Sequence, residues 1–273
     1  MDCNIVGLVP AAGEGTRLFP FSRAVPKEIY PILGKPVIEH TVENLRAGGI
    51  TKIFVIVGYQ KGALMDYLGD GSIFGVDVAY LYQQERKGLG HAIFQAENWI
   101  DTTFVTLLGD SFIEPKEEIN DLIRLHREEE ALVSVLLFRV KDPTAYGVAR
   151  LSDLDGRAGL VEELSEKPTL EEAGPFQVDD HYLALCGVYV FEPEIFSFLE
   201  KTRPDRQGEL QITDAIEMAV DSGEKVFGLV LEGKYLDIGK WRTVLQTEKK
   251  IVLDSNIEDH IQDRENMCKR TNE

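Results

Sequence analysis

The stretch Ala11-Ala12-Gly13-Glu14-Gly15-Thr16-Arg17 follows a short apolar run over residues 5–9, with Pro10 between them. An apolar run that ends in a two-glycine turn predicts a buried strand, then a loop whose backbone N–H groups approach phosphate oxygens closely. The loop lacks the third glycine of a dinucleotide-binding fingerprint and the Gly-Lys-Ser/Thr of a P-loop. A glycine pair by itself fits a plain tight turn equally well, so both interpretations stay open at this point.

Apolar runs and helix-period segments alternate along the first half of the chain. Strands are predicted over 53–57, 76–82 and 104–108, and helices over 37–47, 63–68, 90–99 and 117–130. This alternation is typical of the α/β class and predicts a Rossmann-like, mostly parallel sheet flanked by helices. After residue 130, strands are predicted over 132–140 and 187–191, with a hairpin turn within 151–159. The second half therefore elaborates the same sheet.

The charge balance of the 273-residue chain is strongly negative: 29 Lys and Arg stand against 47 Asp and Glu, a formal net charge of −18. This argues against nucleic acid or an anionic membrane as the main partner. No apolar segment approaches the length of a membrane span and no basic region opens the chain, so we expect a cytoplasmic protein. Cys3, Cys186 and Cys268 are widely spaced, which indicates neither a disulfide framework nor a zinc site.

Two cations, Arg17 and Lys27, accompany the glycine loop in this otherwise acidic chain. For each of them a surface ion pair is the alternative interpretation. The longer segment Gly13-Glu14-Gly15-Thr16-Arg17-Leu18-Phe19-Pro20, with Pro26-Lys27-Glu28 and Pro31, resembles the GxGTRxxP...PK(E/Q)xxP signature of sugar-1-phosphate nucleotidylyltransferases. Within that family it is similar to the glucose-1-phosphate uridylyltransferase and thymidylyltransferase type, and the resemblance continues in order through most of the chain.

The resemblance implies the nucleotide-diphospho-sugar transferase fold in one domain over 1–242. A nucleotide-binding part would span about 1–130 and a sugar-binding part about 131–242, with a helical C-terminal tail over 243–273. The family is commonly oligomeric, so the resemblance also implies a homo-oligomer. Its substrates are a nucleoside triphosphate and a sugar 1-phosphate, which react by in-line displacement to give a nucleotide sugar and pyrophosphate.

Site residues for the nucleotide follow from the same resemblance. It assigns the phosphates to the loop residues Ala12, Gly13, Gly15 and Thr16. It makes catalytic cations of Arg17, Lys27 and Lys167, which neutralise charge on two anionic substrates. It places the base at Gln83 and Gly88, since a Gln amide both donates to and accepts from a base edge. The alternatives for these two residues are an exposed strand end and a helix start.

The choice of base stays open in the sequence. Lys87-Gly88-Leu89-Gly90-His91-Ala92 resembles the uridylyltransferase branch, whereas Gly69-Asp70-Gly71-Ser72 and Phe74-Gly75-Val76 resemble the thymidylyltransferase branch. We therefore expect UTP or dTTP, with glucose 1-phosphate as the sugar. The alternatives are another sugar 1-phosphate, CTP or GTP, and a non-catalytic regulatory protein that binds nucleotide sugars. No histidine, His91 included, has metal-ligand spacing or an expected catalytic role.

Two aspartates are candidate metal ligands. Asp110 ends the segment Leu107-Leu108-Gly109-Asp110, at the carboxyl edge of a predicted buried strand, where ligands of open α/β sheets collect. Tyr235-Leu236-Asp237-Ile238-Gly239 resembles the segment that supplies a second metal carboxylate in the family. The resemblance therefore implies Mg²⁺ held by Asp110 and Asp237, because a hard cation prefers carboxylate oxygens. A lone aspartate at a strand end is otherwise a helix cap.

The resemblance assigns the sugar phosphate to five residues of the second half: Tyr146, Gly147, Glu166, Lys167 and Gly187. Glu166-Lys167-Pro168 resembles an element in which Glu contacts sugar hydroxyls and Lys reaches the sugar's phosphate. Its alternative is a charged strand end before a proline. The segment Gly208-Glu209-Leu210-Gln211-Ile212-Thr213-Asp214 also matches the family, and there we expect a helix start capped by Thr213 or Asp214.

Overall fold

The computed structural model describes residues 5–239, 241 and 243–245. In the first half the order is β1 (Val6–Pro10), α1 (Phe21–Ala24), β2 (Pro31–Ile32), β3 (Lys35–Pro36), α2 (Val37–Ala47), β4 (Lys52–Val57), α3 (Gly62–Leu68), β5 (Asp77–Tyr82), α4 (Gly88–Phe94), β6 (Phe104–Leu107), β7 (Ser111–Glu114) and α5 (Glu118–Glu128). The second half adds β8 (Val133–Val140), β9 (Gly147–Asp155), β10 (Ala158–Glu166), β11 (Gln177–Val178), β12 (His181–Phe191), α6 (Ile195–Lys201), α7 (Ile212–Asp221), β13 (Val226–Val230) and β14 (Lys234–Asp237).

The sheet of the first half is parallel and has β1 at its centre. β4 and β6 pair with the two sides of β1, and β5 pairs with the outer side of β4. Leu8 packs in one hydrophobic core with Ile93 of α4, whereas Val9 packs in the other with Ile38 of α2. A strand that is buried on both faces needs a nearly continuous apolar run, and such a run can be recognised in the sequence of the strand itself. The predicted α/β fold with helices on both faces of the sheet is confirmed.

The same sheet continues into the second half, where most pairings are antiparallel. β12 pairs with β6 and with β8, β8 pairs in parallel with β13, and β10 pairs with β13 and β9. The β9–β10 hairpin turns at Gly156, whose φ is +63°, within the predicted turn region. The sheet is therefore mixed, with parallel pairing concentrated in its first four strands. Because β6 pairs with β12, the predicted nucleotide-binding and sugar-binding parts share one sheet.

Two elements differ from their predicted bounds by more than two residues. β12 begins at His181 rather than at residue 187. Gly187, whose φ is +76°, lies inside this strand, at an irregularity in the pairing with β8 between Leu185 and Tyr189. The glycine therefore marks an irregular position within the strand and not its start. The predicted helix over 90–99 begins earlier and ends at Phe94. The predicted tail beyond residue 245 lies outside the described residues. Within the described part of the chain, no helix combines the length and apolar character required to cross a bilayer.

A small two-stranded sheet connects the end of the domain to the end of β6. β7 begins one residue after Asp110 and pairs antiparallel with β14, so that Ser111 lies opposite Asp237. The Ile238 N–H also donates to the Asp110 carbonyl oxygen at 3.2 Å. This pairing brings together two aspartates that are far apart in the sequence.

Candidate active site

A cavity of about 640 Å³ opens at the carboxyl ends of β1 and β6. Its lining includes every residue for which the sequence predicts a site role: Ala12, Gly13, Gly15, Thr16, Arg17, Lys27, Gln83, Gly88, Asp110, Tyr146, Gly147, Glu166, Lys167, Gly187 and Asp237. Two parts of the lining are named below. The loop wall comprises residues 12–17, Lys27 and Asp110, and the hairpin wall comprises residues 146–147, Glu166, Lys167 and Thr213.

The glycine loop owes its shape to backbone conformation. Gly15 has φ +70°, in the left-handed region that favours glycine, and its carbonyl oxygen accepts a 2.6 Å hydrogen bond from Ser22 Oγ. A Cβ atom on Gly13 would lie 3.4 Å from Lys27 Nζ. The loop therefore runs close to the lysine, with little side-chain bulk between its backbone and the cavity.

Lys27 is fixed at the centre of the loop wall by an ion pair. It begins a 3₁₀ turn, and its Nζ donates to Asp110 Oδ2, with the two side chains only 16% and 12% exposed. Burial opposes ionisation of both groups. The Asp110 and Glu28 carboxylates nevertheless hold the pKa of Lys27 above its usual value, and the Lys27 ammonium holds the pKa of Asp110 below its usual value.

A second ion pair lies directly behind the first. Glu28 does not line the cavity, and it accepts a 2.7 Å hydrogen bond from Lys61 Nζ, with both side chains almost completely buried. The Glu28 Cγ lies 3.3 Å from the position that a Cβ on Gly109 would occupy. Burial raises the pKa of Glu28, against the lowering effect of Lys61. The two ion pairs involve neighbouring residues of one turn, Lys27 and Glu28. Both pack against the same segment, Gly109 and Asp110, just after the end of β6.

The two aspartates lie close enough for their negative charges to interact. The pKa of Asp237 is raised, first by burial and then by the negative charge of Asp110. Asp237 Oδ1 accepts a 2.6 Å hydrogen bond from the Gly239 N–H. Carboxylates that repel each other in a partly buried site are stabilised by a bound cation, and Mg²⁺ prefers such oxygens. Among the described residues, these two aspartates are not joined by a third acidic, His or Cys ligand in a metal-binding cluster.

Arg17 lies beside the second aspartate. Its Nη2 is 3.2 Å from the position that a Cβ on Gly239 would occupy, and that position is 2.6 Å from Asp237 Oδ1. Trp241 Nε1 donates to the Phe19 carbonyl oxygen at 3.1 Å, which ties the segment after β14 to the loop. A larger side chain at Gly239 would displace either Arg17 or the carboxylate.

The predicted base-binding residues are held from behind by neighbouring segments. Gln83 is only 4% exposed, so the alternative of an exposed strand end is wrong. Gly88 begins α4 with φ +92°, and a Cβ there would lie 2.6 Å from the Leu210 carbonyl oxygen. Only glycine fits this position without displacing the backbone. Gly88 is thus a helix start, as its alternative interpretation held, and it also lines the cavity.

The hairpin wall is joined by side-chain contacts. Glu166, the last residue of β10, accepts hydrogen bonds from Lys167 Nζ at 2.9 Å and from Thr213 Oγ1 at 2.7 Å. A Cβ on Gly147 would lie 2.9 Å from Glu166 Oε2 and 3.0 Å from Thr213 Oγ1. The Glu166 carboxylate is therefore oriented by partners from two different segments of the chain. Because Gly147 has no side chain, it leaves room for this carboxylate.

The expected cap on α7 is wrong. The helix begins at Ile212, which places Gln211 at the capping position without a side-chain cap bond, and Thr213 lies inside the first turn. Its hydroxyl is used by Glu166 instead. Glu209, Gln211, Ile212 and Thr213 all line the cavity although no site role was predicted for them. The family match of the segment 208–214 is the signal in the sequence that points to these residues, although the sequence alone favours a structural role there.

The comparisons with known proteins identify the family. The chain belongs to the nucleotidyl transferase family, whose model matches residues 6–253. It is 34% identical over 253 residues to the low-salt glycan biosynthesis nucleotidyltransferase Agl11 of Haloferax volcanii, covering 92% of this chain and 67% of that protein. It is 37% identical over 249 residues to a glucose-1-phosphate thymidylyltransferase of Streptomyces antibioticus, covering 90% of this chain and 66% of that protein. The chain thus spans about two thirds of the length of these relatives.

The fold is likewise similar to a solved family member. The structure of a UDP-glucose pyrophosphorylase complexed with UDP-glucose matches with a TM-score of 0.82 and 27% identity. The match covers 92% of this chain and 99% of that one. The sequence-based assignment to the sugar-1-phosphate nucleotidylyltransferases is confirmed. One of these proteins is named for thymidylyl transfer and another for UDP-glucose, so their names leave the base open.

Proposed function

We propose that this chain is a Mg²⁺-dependent nucleotidyltransferase that joins a sugar 1-phosphate to a nucleoside triphosphate, forming a nucleotide sugar and pyrophosphate. One observation carries the proposal. In a chain of net charge −18, a single cavity brings together four cations, Arg17, Lys27, Arg86 and Lys167, with the carboxylates of Asp110 and Asp237. Cations at a glycine loop suit a polyphosphate, and the paired carboxylates suit the divalent cation that accompanies it.

The proposed reaction needs positioning more than proton transfer. An oxygen of the sugar 1-phosphate forms a bond to the α-phosphorus, and the bond from that phosphorus to the bridging oxygen of the β-phosphate breaks. The attacking oxygen is already ionised near neutral pH, so no general base is required. Arg17 and the N–H groups of residues 13–16 bind the phosphates that leave as pyrophosphate, where negative charge accumulates.

The lysines serve the two phosphates differently in this scheme. Lys27, held against Asp110 in a partly buried position, supplies a fixed positive charge between the two anions. Lys167 has a half-exposed side chain and aligns the attacking phosphate. Glu166 accepts hydrogen bonds from sugar hydroxyls, since its oxygens are already directed by Lys167 and Thr213.

Asp110 and Asp237 are the residues that would hold Mg²⁺. Their fit rests on the donor set: two neighbouring carboxylates, of which one has its pKa raised in part by the charge of the other. Mg²⁺, when bound, would neutralise charge on the α-phosphate and reduce the repulsion between the substrates.

For substrates, we propose UTP or dTTP with glucose 1-phosphate as the first pair. Relatives named for thymidylyl transfer to glucose 1-phosphate and for UDP-glucose support this pair. Uracil and thymine differ by one methyl group, worth only about 1 to 3 kcal/mol of discrimination, so one pocket can accept both. Another sugar 1-phosphate, CTP or GTP, and a non-catalytic nucleotide-sugar-binding role are the alternatives.

Because the substrates are highly charged metabolites, we also propose that the reaction takes place in the cytoplasm. For the assembly we propose a homo-oligomer, and light scattering of the purified protein would test this.

Pyrophosphate release tests the function directly. The purified protein is incubated with Mg²⁺ and glucose 1-phosphate and offered UTP, dTTP, CTP, ATP and GTP separately. We expect release with UTP or dTTP and its loss when the metal is chelated. Release only with a different sugar 1-phosphate would change the substrate. If no pair releases pyrophosphate while nucleotide sugars still bind, the result would favour the non-catalytic regulatory role over the enzyme.

A further inference from the structure

The side chain of Gln83 is held in one orientation behind the cavity wall. Its Nε2 lies 2.8 Å from His91 Nδ1 and 3.4 Å from the Gly88 carbonyl oxygen. Its own backbone N–H donates to the Val57 carbonyl oxygen at 2.8 Å, at the end of β4. Both the backbone and the amide group of Gln83 are therefore anchored before any ligand binds.

The chemistry of these partners determines which end of the amide faces them. A carbonyl oxygen only accepts hydrogen bonds, so the amide nitrogen of Gln83 must face Gly88. The same nitrogen lies 2.8 Å from His91 Nδ1, whereas the Gln95 amide nitrogen lies 3.4 Å from His91 Nε2. The closer contact favours an unprotonated Nδ1 that accepts from Gln83, with the proton of the neutral ring on Nε2. Burial and the Lys87 ammonium lower the pKa of His91, which favours this neutral form.

The amide oxygen of Gln83, Oε1, is available to a ligand in the cavity. Within the described part of the chain, Gln83 Oε1 makes no hydrogen bond, and it is not among the fully buried polar atoms that lack a partner. Gln83 lines the cavity, whereas His91 lies behind it and is not part of the lining. The wall at this point consequently presents a hydrogen-bond acceptor that cannot rotate without breaking both contacts.

We propose that His91 is a positioning residue for base selection: it holds Gln83 with its oxygen toward the cavity and so favours a base that presents a ring N–H, uracil or thymine, over cytosine. This rests on the proposed function and deepens it. Uracil and thymine carry a hydrogen on N3, which Gln83 Oε1 accepts. Cytosine carries a lone pair on N3, which would face the same oxygen. Rotating the Gln83 amide to suit cytosine would turn its oxygen against the Gly88 carbonyl oxygen and His91 Nδ1.

The comparison of UTP with CTP isolates this effect, because the two nucleotides share ring size, ribose and phosphates. We would measure kcat/KM for both in the parent and in variants at position 91. His91→Leu and His91→Phe both remove the acceptor, whereas His91→Asn keeps an acceptor at the same number of bonds from the backbone. Gln95→Leu is the matched control, since Gln95 touches the other side of His91 and donates to its carbonyl oxygen at 3.1 Å without reaching Gln83.

We expect the parent to prefer UTP over CTP by about 10²-fold or more, as sites built to bond a substrate N–H do. Either of the variants without the acceptor should reduce this ratio by about tenfold or more, because Gln83 can then rotate. His91→Asn should restore most of the preference, and Gln95→Leu should leave the ratio unchanged. A structural role alone would lower both kcat/KM values together and leave the ratio constant.

An unchanged ratio in folded His91→Leu or His91→Phe would overturn the proposal, as would an equal fall in Gln95→Leu. If the parent releases no pyrophosphate with any nucleotide, the proposed function fails, and the proposal about His91 is judged by calorimetric binding of UDP and CDP to the same proteins. A parent that binds CDP as tightly as UDP would then sink it.

Discussion

Lys27 and Lys167 each lie beside a carboxylate in the same cavity, but the two walls hold them in different ways. On the loop wall, the Lys27 side chain is 16% exposed and its partner Asp110 comes from a distant strand end. On the hairpin wall, the Lys167 side chain is 52% exposed and its partner Glu166 is its neighbour in sequence. The loop wall therefore presents charge that is fixed before substrate arrives, whereas the hairpin wall presents charge that can follow the substrate.

This difference matters because electrostatic interactions strengthen as water is excluded. A fixed, partly desolvated cation acts on charge that develops during the reaction without first reorganising, which affects turnover. A solvated lysine mainly contributes binding that is similar in the ground state and the transition state, which affects KM. Substitutions in the two walls should thus have distinguishable kinetic signatures.

The largest expected effect concerns the ion pair that supports the loop wall. Lys61→Met leaves the buried Glu28 carboxylate without its partner and should lower the free energy of unfolding by about 3 to 5 kcal/mol. Lys167→Met, its counterpart on the hairpin wall, should change it by less than about 0.5 kcal/mol, because exposed pairs contribute little. Urea unfolding of both variants and the parent measures the difference.

The pH dependence of Lys61→Met provides a check on the cause. Burial raises the pKa of Glu28, so the folded state holds a proton there more readily than the unfolded state does. Without Lys61 this preference should grow, and the variant should lose stability as the pH rises through the folded-state pKa of Glu28. The deficit relative to the parent should then be smaller at mildly acidic pH than at neutral pH. An equal deficit at both pH values would assign the effect to packing instead.

Arg17→Ala should have the largest effect on chemistry. Removing a charge that is proposed to stabilise the leaving pyrophosphate should lower kcat by roughly 10²- to 10³-fold. Arg23→Ala is the matched control, because Arg23 lies over the Phe19 ring, with its guanidinium carbon 4.7 Å from the ring centre, and does not line the cavity. If folded Arg17→Ala keeps near-normal turnover, Arg17 has no role in the reaction.

Asp110→Asn tests the metal assignment on the loop wall. The amide keeps the size of the side chain but loses the charge that pairs with Lys27 and would bind Mg²⁺. We expect turnover to fall by about 10²-fold and the Mg²⁺ concentration needed for half-maximal activity to rise. Asp101 is an exposed residue nearby in the sequence, and Asp101→Asn should alter neither the turnover nor the Mg²⁺ requirement. An unaltered Mg²⁺ requirement in Asp110→Asn would remove this carboxylate from the metal site.

The two walls also differ in how far the sequence predicts them. The loop wall lies at the ends of strands that are buried on both faces, and its motif is nearly continuous, so both its position and its residues were predictable. The pairing of β7 with β14 was not, because two four-residue strands from distant parts of the chain leave no local pattern. That pairing is what brings Asp237 near Asp110, and only the family resemblance had linked them.

Side-chain partnerships were the least predictable feature. Charged residues are usually solvated, so nothing local indicates that Glu28 is buried against Lys61, a residue from the loop after β4. The sequence predicts Thr213 as a cap because threonine near a helix start commonly caps it. Its actual partner, Glu166, ends a strand far earlier in the chain, and such a contact depends on how α7 packs against β10.

Thr213→Val is the smallest and most selective test of the two-wall comparison. The valine is similar in shape but removes one hydrogen bond to the Glu166 carboxylate, an interaction worth about 1.5 kcal/mol when one partner is charged. Because that carboxylate is proposed to contact the sugar, KM for glucose 1-phosphate should rise about tenfold while KM for the nucleotide stays constant. Thr202→Val, which removes a 2.9 Å bond to the Phe198 carbonyl oxygen away from the cavity, should change neither KM. An equal rise in both KM values would mean that the hairpin wall is not specific to the sugar, and that the two walls act as one rigid unit.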